Sequence, residues 1–212
     1  MKIAVAIALV AGLALSAYGG WILYTNNVER PAYRALVTDG SFEVRNYPPL
    51  VVAEVTRTGD RDMAVNKGFG PLANYIFAKE RAGDQIAMTA PVTQQKRETI
   101  AMTAPVTQTR GENDAWTVRF IMPSQYTLNA LPKPANADVK LLDVPARRVA
   151  AVRFSGVAND ALLAEKEAAL REWMKSRGLE PQGPPTYAYY NDPFTPGFLR
   201  RNEVMFDVAR PS

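Results

Sequence analysis

The phrase Gln85-Ile86-Ala87-Met88-Thr89-Ala90-Pro91-Val92-Thr93-Gln94 returns fourteen positions later as Thr99-Ile100-Ala101-Met102-Thr103-Ala104-Pro105-Val106-Thr107-Gln108, with only its first residue changed. No other feature of the chain constrains its fold as much. Two copies of so short a unit cannot stack into a solenoid with a continuous core. Each copy carries β-branched residues, in the first Ile86, Thr89, Val92 and Thr93, and the Lys96-Arg97-Glu98 stretch between the copies is charged. The pair therefore reads as a β-hairpin. Pro91 and Pro105 have no N–H to give to a ladder, so each copy sits at an edge, at a bulge or at the start of a new strand. On this reading the duplication is structural, a local extension of a sheet.

The residues on either side repeat a longer plan. Phe42 to Thr56 alternates and is rich in Val, broken by Tyr47-Pro48-Pro49, and reads as strand, turn and strand or as one bent strand. Asp60 can cap a helix carrying Met63, Ala64, Phe69, Leu72, Tyr75 and Ile76, with Gly68, Gly70 and Pro71 expected to break or kink its middle. Trp116 to Met122 then alternates as a half-buried strand does. From Val139 the order recurs: Val139–Pro145 and Arg148–Phe154 as strands, a helix capped by Asn159 or Asp160 and stopped at Gly178, then Tyr187–Tyr190 and Glu203–Val208. In that helix Leu163, Leu170, Trp173 and Met174 share one face, and Glu167 can pair with Arg171 one turn on. The expected class is α+β, two pseudo-symmetric βαββ halves forming a distorted antiparallel β-barrel or curved sheet with both helices packed on it.

Three marks in this order, Phe42-Glu43-Val44-Arg45-Asn46-Tyr47, the Ile-Ala-Met-Thr-Ala-Pro-Val phrase and Arg200-Arg201-Asn202-Glu203-Val204, resemble the SOUL family of haem-binding proteins from about Phe42 to Val208. The resemblance implies a distorted β-barrel flanked by two long helices. It also implies a tetrapyrrole cleft between the first helix and the loop before the last strand. The matching positions are Met63, Phe69, Leu72 and Ile76 on the helix and Phe194, Pro196 and Phe198 in the loop. Lys67, Arg57, Arg61, Arg200 and Arg201 are the candidate partners of the propionates. Phe194 and Phe198 stand out, because aromatics among Pro193, Pro196 and Gly197 in a loop have little reason to be buried. The duller reading of Met63, Leu72 and Ile76 is a core face at helical spacing.

The ends of the chain add location. Lys2 precedes an uncharged stretch from Ile3 to Asn27, long enough at helical rise to cross a bilayer, with Trp21 and Tyr24 suited to its interface. The alternative is a cleaved signal peptide, with small residues near Ala14 and Ala17 as candidate sites. The expected organisation is 1–26 signal anchor or signal peptide, 27–40 linker and 41–212 SOUL-like domain. The domain is then held at a membrane on the periplasmic or extracytoplasmic side, or secreted after cleavage. A net charge of +4, scattered rather than striped, does not suggest nucleic acid as a partner.

The chain has no histidine and no cysteine. Ser-His and Cys-His nucleophiles, thiolate catalysis and ordinary zinc sites are thereby removed. Carboxylate pairs such as Glu165 with Glu167, or Asp160 with Glu54, have no supporting spacing, and Gly68-Phe69-Gly70 lacks the strand-to-helix turn of a phosphate loop. The chain reads as a binding protein and not an enzyme. The commonest haem ligand is also missing, which departs from family members in which a histidine is thought to hold iron. Met63 remains as a soft ligand, and Tyr75, Tyr189 or Tyr190 as a phenolate, which needs a cation to lower its pKa. The expectation is haem or porphyrin held by apolar contact and cationic anchoring, without a strong axial ligand. Two other classes stay open. One is an effector-type cleft for hydrophobic cations, like those of some bacterial transcription regulators, for which Glu54 or Glu203 would supply the charge. The other is a protein-interaction module.

Overall fold

A computed structural model describes residues 28–79, 81, 83–96, 115–191 and 194–209. Among them the elements run β1 (Arg34–Asp39), β2 (Phe42–Tyr47), β3 (Leu50–Thr58), α1 (Arg61–Ile76), β4 (Val92–Lys96), β5 (Ala115–Ile121), β6 (Lys140–Val144), β7 (Arg147–Phe154), α2 (Asp160–Ser176), β8 (Pro181–Tyr189) and β9 (Asn202–Val208), here numbered in chain order. The strands form one antiparallel curved sheet in the order β1-β2-β7-β9-β8-β4-β5-β3-β6. The α+β class and the paired βαββ plan hold. The β-barrel does not: β1 and β6 stand at opposite ends of the order and do not pair, so the sheet stays open.

The two halves exchange their first strands. β2 precedes β3 in the chain yet pairs with β7, with Phe42 opposite Val152 and Tyr47 opposite Arg147. β6 precedes β7 yet pairs with β3, with Leu50 opposite Val144. Pro48 and Pro49 make this possible, because a fixed φ and two missing donors end β2 before it can fold back on β3 as a hairpin. A pseudo-twofold axis then falls between β8 and β4, relating β7 to β3 and β9 to β5.

Both helices lie on the same face. In-register Val92 and Tyr189 point the same way, and the face they share carries one apolar cluster under α1 and another under α2. Under α1, Leu72, Tyr75 and Ile76 meet Ala53, Val55, Val118 and Phe120. Under α2, Leu163, Leu170 and Met174 meet Ala150, Val152, Val204 and Phe206. α2 follows its sequence closely. The Asn159 side chain accepts the Leu162 N–H at 2.9 Å, Glu167 pairs with Arg171, and Gly178 follows with φ 64°.

α1 departs from its sequence reading, for it is continuous through Pro71. The carbonyl that a proline at this position leaves without its usual donor is that of Lys67, four residues back. The Arg57 guanidinium reaches it from β3, Nε to O 3.4 Å. Gly68 faces the sheet, where a Cβ would come within 2.8 Å of Val118 Cγ2 and 3.2 Å of Val55 Cγ2. This glycine sets how close the helix lies, and it does not break it.

The first copy of the repeated phrase lies inside the sheet. β4, the strand of the first copy, has β5 on one side and β8 on the other from Val92 to Gln95, so it is an interior strand. Pro91 stands just before Val92, where its missing donor is not needed by the ladder. Thr99–Gln108 lies outside the described residues. The expected 27–40 linker contains β1, paired along β2 from Arg34 to Asp39. No helix among the described residues is long and apolar enough to cross a membrane, and the segment read as an anchor, 1–26, lies outside them.

Candidate functional site

The starts of the two helices and the loop after β8 meet at one end of the molecule. Asp60 caps α1 by accepting the Met63 N–H at 2.7 Å. The next side chain, Arg61, is buried and reaches Asp160 at the start of α2, Nε to Oδ1 2.6 Å, and the Tyr189 hydroxyl at the end of β8, 3.0 Å. On the other flank of the α2 start, the Gly156 N–H donates to the Gly197 carbonyl at 2.9 Å, and Asn202 Nδ2 donates to the Gly156 carbonyl at 2.9 Å. Gly197 sits so close that a Cβ would come within 3.1 Å of Val157 Cγ2. These contacts fix the β8–β9 loop against the α2 start, and Arg61 fixes the first turn of α1 to the same place.

This end carries apolar side chains that point into water. Phe194 and Phe198 are 79% and 77% exposed, Leu199 next to Phe198 and Val157 against Gly197 are exposed as well, and Met63 is exposed on the first turn of α1. Single exposed apolar residues are ordinary, whereas several gathered around one loop mark an interaction site. Val157 and Leu199 escape a sequence reading that looks for aromatics. The signal for Val157 is Gly156-Val157-Ala158, an apolar step placed directly before a helix cap, where the chain must be at the surface.

The predicted residues divide. Met63, Lys67 and Phe69 are exposed on α1, although the Phe69 ring also rests edge-on against Phe120 with centroids 5.2 Å apart. Phe194 and Phe198 are exposed in the loop, and Arg200 beside them donates from Nε to the Thr195 carbonyl at 2.7 Å. Leu72 and Ile76 are corrected. Both are fully buried beneath α1, because at helical spacing they continue the core face begun by Ala64 and Gly68. Arg57 and Arg61 also leave the anchoring set. Arg57 is paired with Asp138, Nη2 to Oδ2 3.1 Å, and Arg61 with Asp160 and Asp62.

Tyrosine ligation meets an electrostatic obstacle. Burial pushes the Tyr75, Tyr189 and Tyr190 hydroxyls above the ordinary tyrosine value, and the neighbouring Glu203 pushes Tyr190 further. A phenolate needs the opposite shift. Among the described residues no group of three or more acidic side chains could hold a metal.

The sheet face turned away from the helices holds a different polar centre. Glu203 is completely buried there and accepts from Arg45 at 2.7 and 3.1 Å, from Arg201 at 2.7 Å and from the Tyr190 hydroxyl at 2.8 Å. Arg45, 1% exposed, also donates from Nε to Glu43 at 2.6 Å. Burial alone would raise the Glu203 carboxyl, but the hydrogen bonds and charge of Arg45 and Arg201 outweigh it and hold the group below the ordinary value. Glu54 sits on the same face in the other half and pairs with Arg119, 2.8 Å apart.

Comparison with known proteins follows the same outline. The family model described as SOUL heme-binding protein matches residues 28–207, which takes in β1 as well as the three sequence marks. Heme-binding protein 2 of Homo sapiens is 28% identical over 189 residues, covering 86% of this chain and 87% of that protein. The Mus musculus protein of the same name is 27% identical over 81% of this chain and 79% of its own length. Among solved structures, the C-terminal domain of EcmrR superposes with a TM-score of 0.59 at 13% identity, covering 84% of this chain and 99% of that one. A hydrolase of Listeria innocua superposes with a TM-score of 0.55 at 15% identity, covering 82% and 94%. At these identities the two structures share the fold and nothing finer.

Proposed function

The chain belongs to the SOUL heme-binding protein family, whose cofactor is haem, and from that premise we propose that it binds haem or a related tetrapyrrole on the apolar surface at the α1 start and the β8–β9 loop, without histidine ligation, as a carrier, buffer or sensor. The observation that carries the proposal is the exposure of Phe194 and Phe198 on a loop locked to the α2 start. A macrocycle is a flat apolar plate with carboxylates at one edge, and it can be held by its face and its edge together. The residues present fit such a plate. They do not fit a strong axial ligand, since histidine and cysteine are missing from the sequence and the buried tyrosines hold their protons. Met63, Phe69, Phe194 and Phe198 would give the apolar contact, and Lys67 and Arg200 the nearby charge.

The reading is of a binding protein and not an enzyme. An effector-type cleft for hydrophobic cations would need an available carboxylate, and Glu203 and Glu54 are both held by arginines. The N-terminal segment is read as the anchor that keeps the domain at the outer side of a membrane, which carbonate extraction and protease protection in cells would test.

The binding test is a titration of the full chain with haem and with metal-free protoporphyrin, in the wild type and in F194A/F198A. The two ligands are expected to bind within a few-fold of one another. The double variant should weaken both by about tenfold or more, since covering one phenyl ring contributes roughly 1.5–3 kcal/mol. A low-spin haem spectrum of the kind two strong nitrogen ligands give, or unchanged affinity in the double variant, overturns the proposal.

A further inference from the structure

Leu199, the last residue of the turn that presents Phe198, also forms one wall of a cleft. The Gly40–Ser41 turn between β1 and β2, the end of β7 from Arg153 to Ser155, and the segment from Leu199 to Arg201 enclose about 480 Å³. That lies within the range of about 300–1,000 Å³ in which proteins hold small organic ligands. Arg153, Arg200 and Arg201 contribute to the lining together with Ser41 and Ser155, and no Asp or Glu among the described residues does.

The arrangement leaves a positive charge without a local partner. Arg153 faces Glu203 in register across the β7–β9 ladder, so a simple cross-strand ion pair would be expected. The Glu203 carboxylate is instead taken by Arg45 and Arg201. Arg153 is exposed, and no described residue forms an ion pair or side-chain hydrogen bond with it. Its backbone N–H donates to the Ser41 carbonyl at 2.9 Å, which ties the β1–β2 turn to β7 and holds the cleft's two sides together. A guanidinium group left without a carboxylate partner, as Arg153 is among the described residues, suits an incoming carboxylate, which it can grip with paired charge-assisted hydrogen bonds.

We propose that this cleft is the subsite for the carboxylate arms of the tetrapyrrole, with Arg153 as its principal cation and the macrocycle lying across Leu199 onto Phe198. The proposal rests on the function inferred above and deepens it. The anchoring charge is placed on β7 and beside the β1–β2 turn, far in sequence from the helical Lys67. The ligand selected is an amphiphile with an apolar body and an ionised edge, and one lacking either part binds less well.

The test uses the full chain and fluorescence titration with protoporphyrin IX and with its dimethyl ester, which keeps the macrocycle and removes the charge. In the wild type the diacid should bind more tightly than the ester. Arg153→Gln should weaken the diacid about fivefold, the upper range for a solvent-screened ion pair, and leave the ester unchanged. Arg153→Lys should restore most of the loss. Phe198→Ala should weaken diacid and ester alike. Added salt should weaken only the diacid in the wild-type protein, a readout that needs no variant to fold. If the wild type binds diacid and ester equally, or if Arg153→Gln weakens both, the subsite is overturned while tetrapyrrole binding stands. If the wild type binds neither porphyrin, the proposed function itself falls and the subsite falls with it.

Discussion

The two halves place glutamate–arginine chemistry on corresponding strands of the same sheet face, and they use it differently. In the first half Glu54 on β3 meets Arg119 on β5 in direct register, and both side chains keep some contact with water. In the second half Glu203 on β9 ignores its register partner Arg153 and is sealed beneath Arg45, Arg201 and Tyr190. A charge removed from water has to be matched by several partners or it costs several kcal/mol, whereas a wet pair contributes little. The difference separates structural charge from available charge. Glu203, which in sequence alone could serve a cationic ligand, is a structural lock, and the arginine it passes over is left facing the cleft.

The largest expected effect tests that lock. Glu203→Gln leaves the buried Arg45 with Glu43 as its one remaining carboxylate among the described residues and should cost about 3–5 kcal/mol in denaturant unfolding. The same lock sets the pH dependence. Because the folded Glu203 carboxyl lies below its unfolded value of about 4.5, its stabilisation is complete above that pH and is lost as pH falls below it. Tyr190 has the opposite sense. Its hydroxyl, raised by burial and by Glu203, favours the folded state up to the ordinary tyrosine value of 10 and penalises it as pH rises further. Unfolding curves at acid pH should therefore converge for wild type and Glu203→Gln, and a persistent gap would break the assignment.

The helices give the next contrast. α1 carries Gly68 against Val118 and Val55, and α2 has no glycine. Gly68→Ala should cost about 1–3 kcal/mol by overpacking. Gly70→Ala, with open space around it, should gain about 0.5–1 kcal/mol from helix propensity. Thermal melts of the two variants should move in opposite directions. Smaller again, and equal between the halves, Asp60→Ala and Asn159→Ala should each cost about 1 kcal/mol by loss of a cap. Glu54→Gln should cost the least, within about 1 kcal/mol, and a loss as large as that of Glu203→Gln would erase the contrast between the halves.

Local chemistry was readable in the sequence, and long-range pairing was not. Asp60, Asn159 and Gly178 act where capping rules place them, since each needs only its neighbours. The helix through Pro71 was not readable, because the Arg57 guanidinium that satisfies the Lys67 carbonyl comes from another strand. The interior place of the first copy was not readable for a similar reason. Its strand is flanked by β5 and β8, and β8 lies far away in the chain. For the site, exposed loop aromatics were legible from Phe194 and Phe198 among proline and glycine. Leu72 and Ile76 were ambiguous at helical spacing, and only burial decides them. Arg153 was hidden, because its availability depends on Glu203 being claimed by Arg45 on β2 and by Arg201 just before β9.

The swapped opening strands carry a consequence for the chain as a whole. A cut in the Pro132–Asp138 connection would not liberate two autonomous modules. The leading fragment would keep β2 without the β7 it pairs with, and the trailing fragment would keep β6 without β3. Such pieces are interlocked rather than adjacent, so each should be insoluble or unstructured by itself and regain shape only when the two are mixed. The molecule behaves as a single clasp whose hooks are worn by the opposite partner.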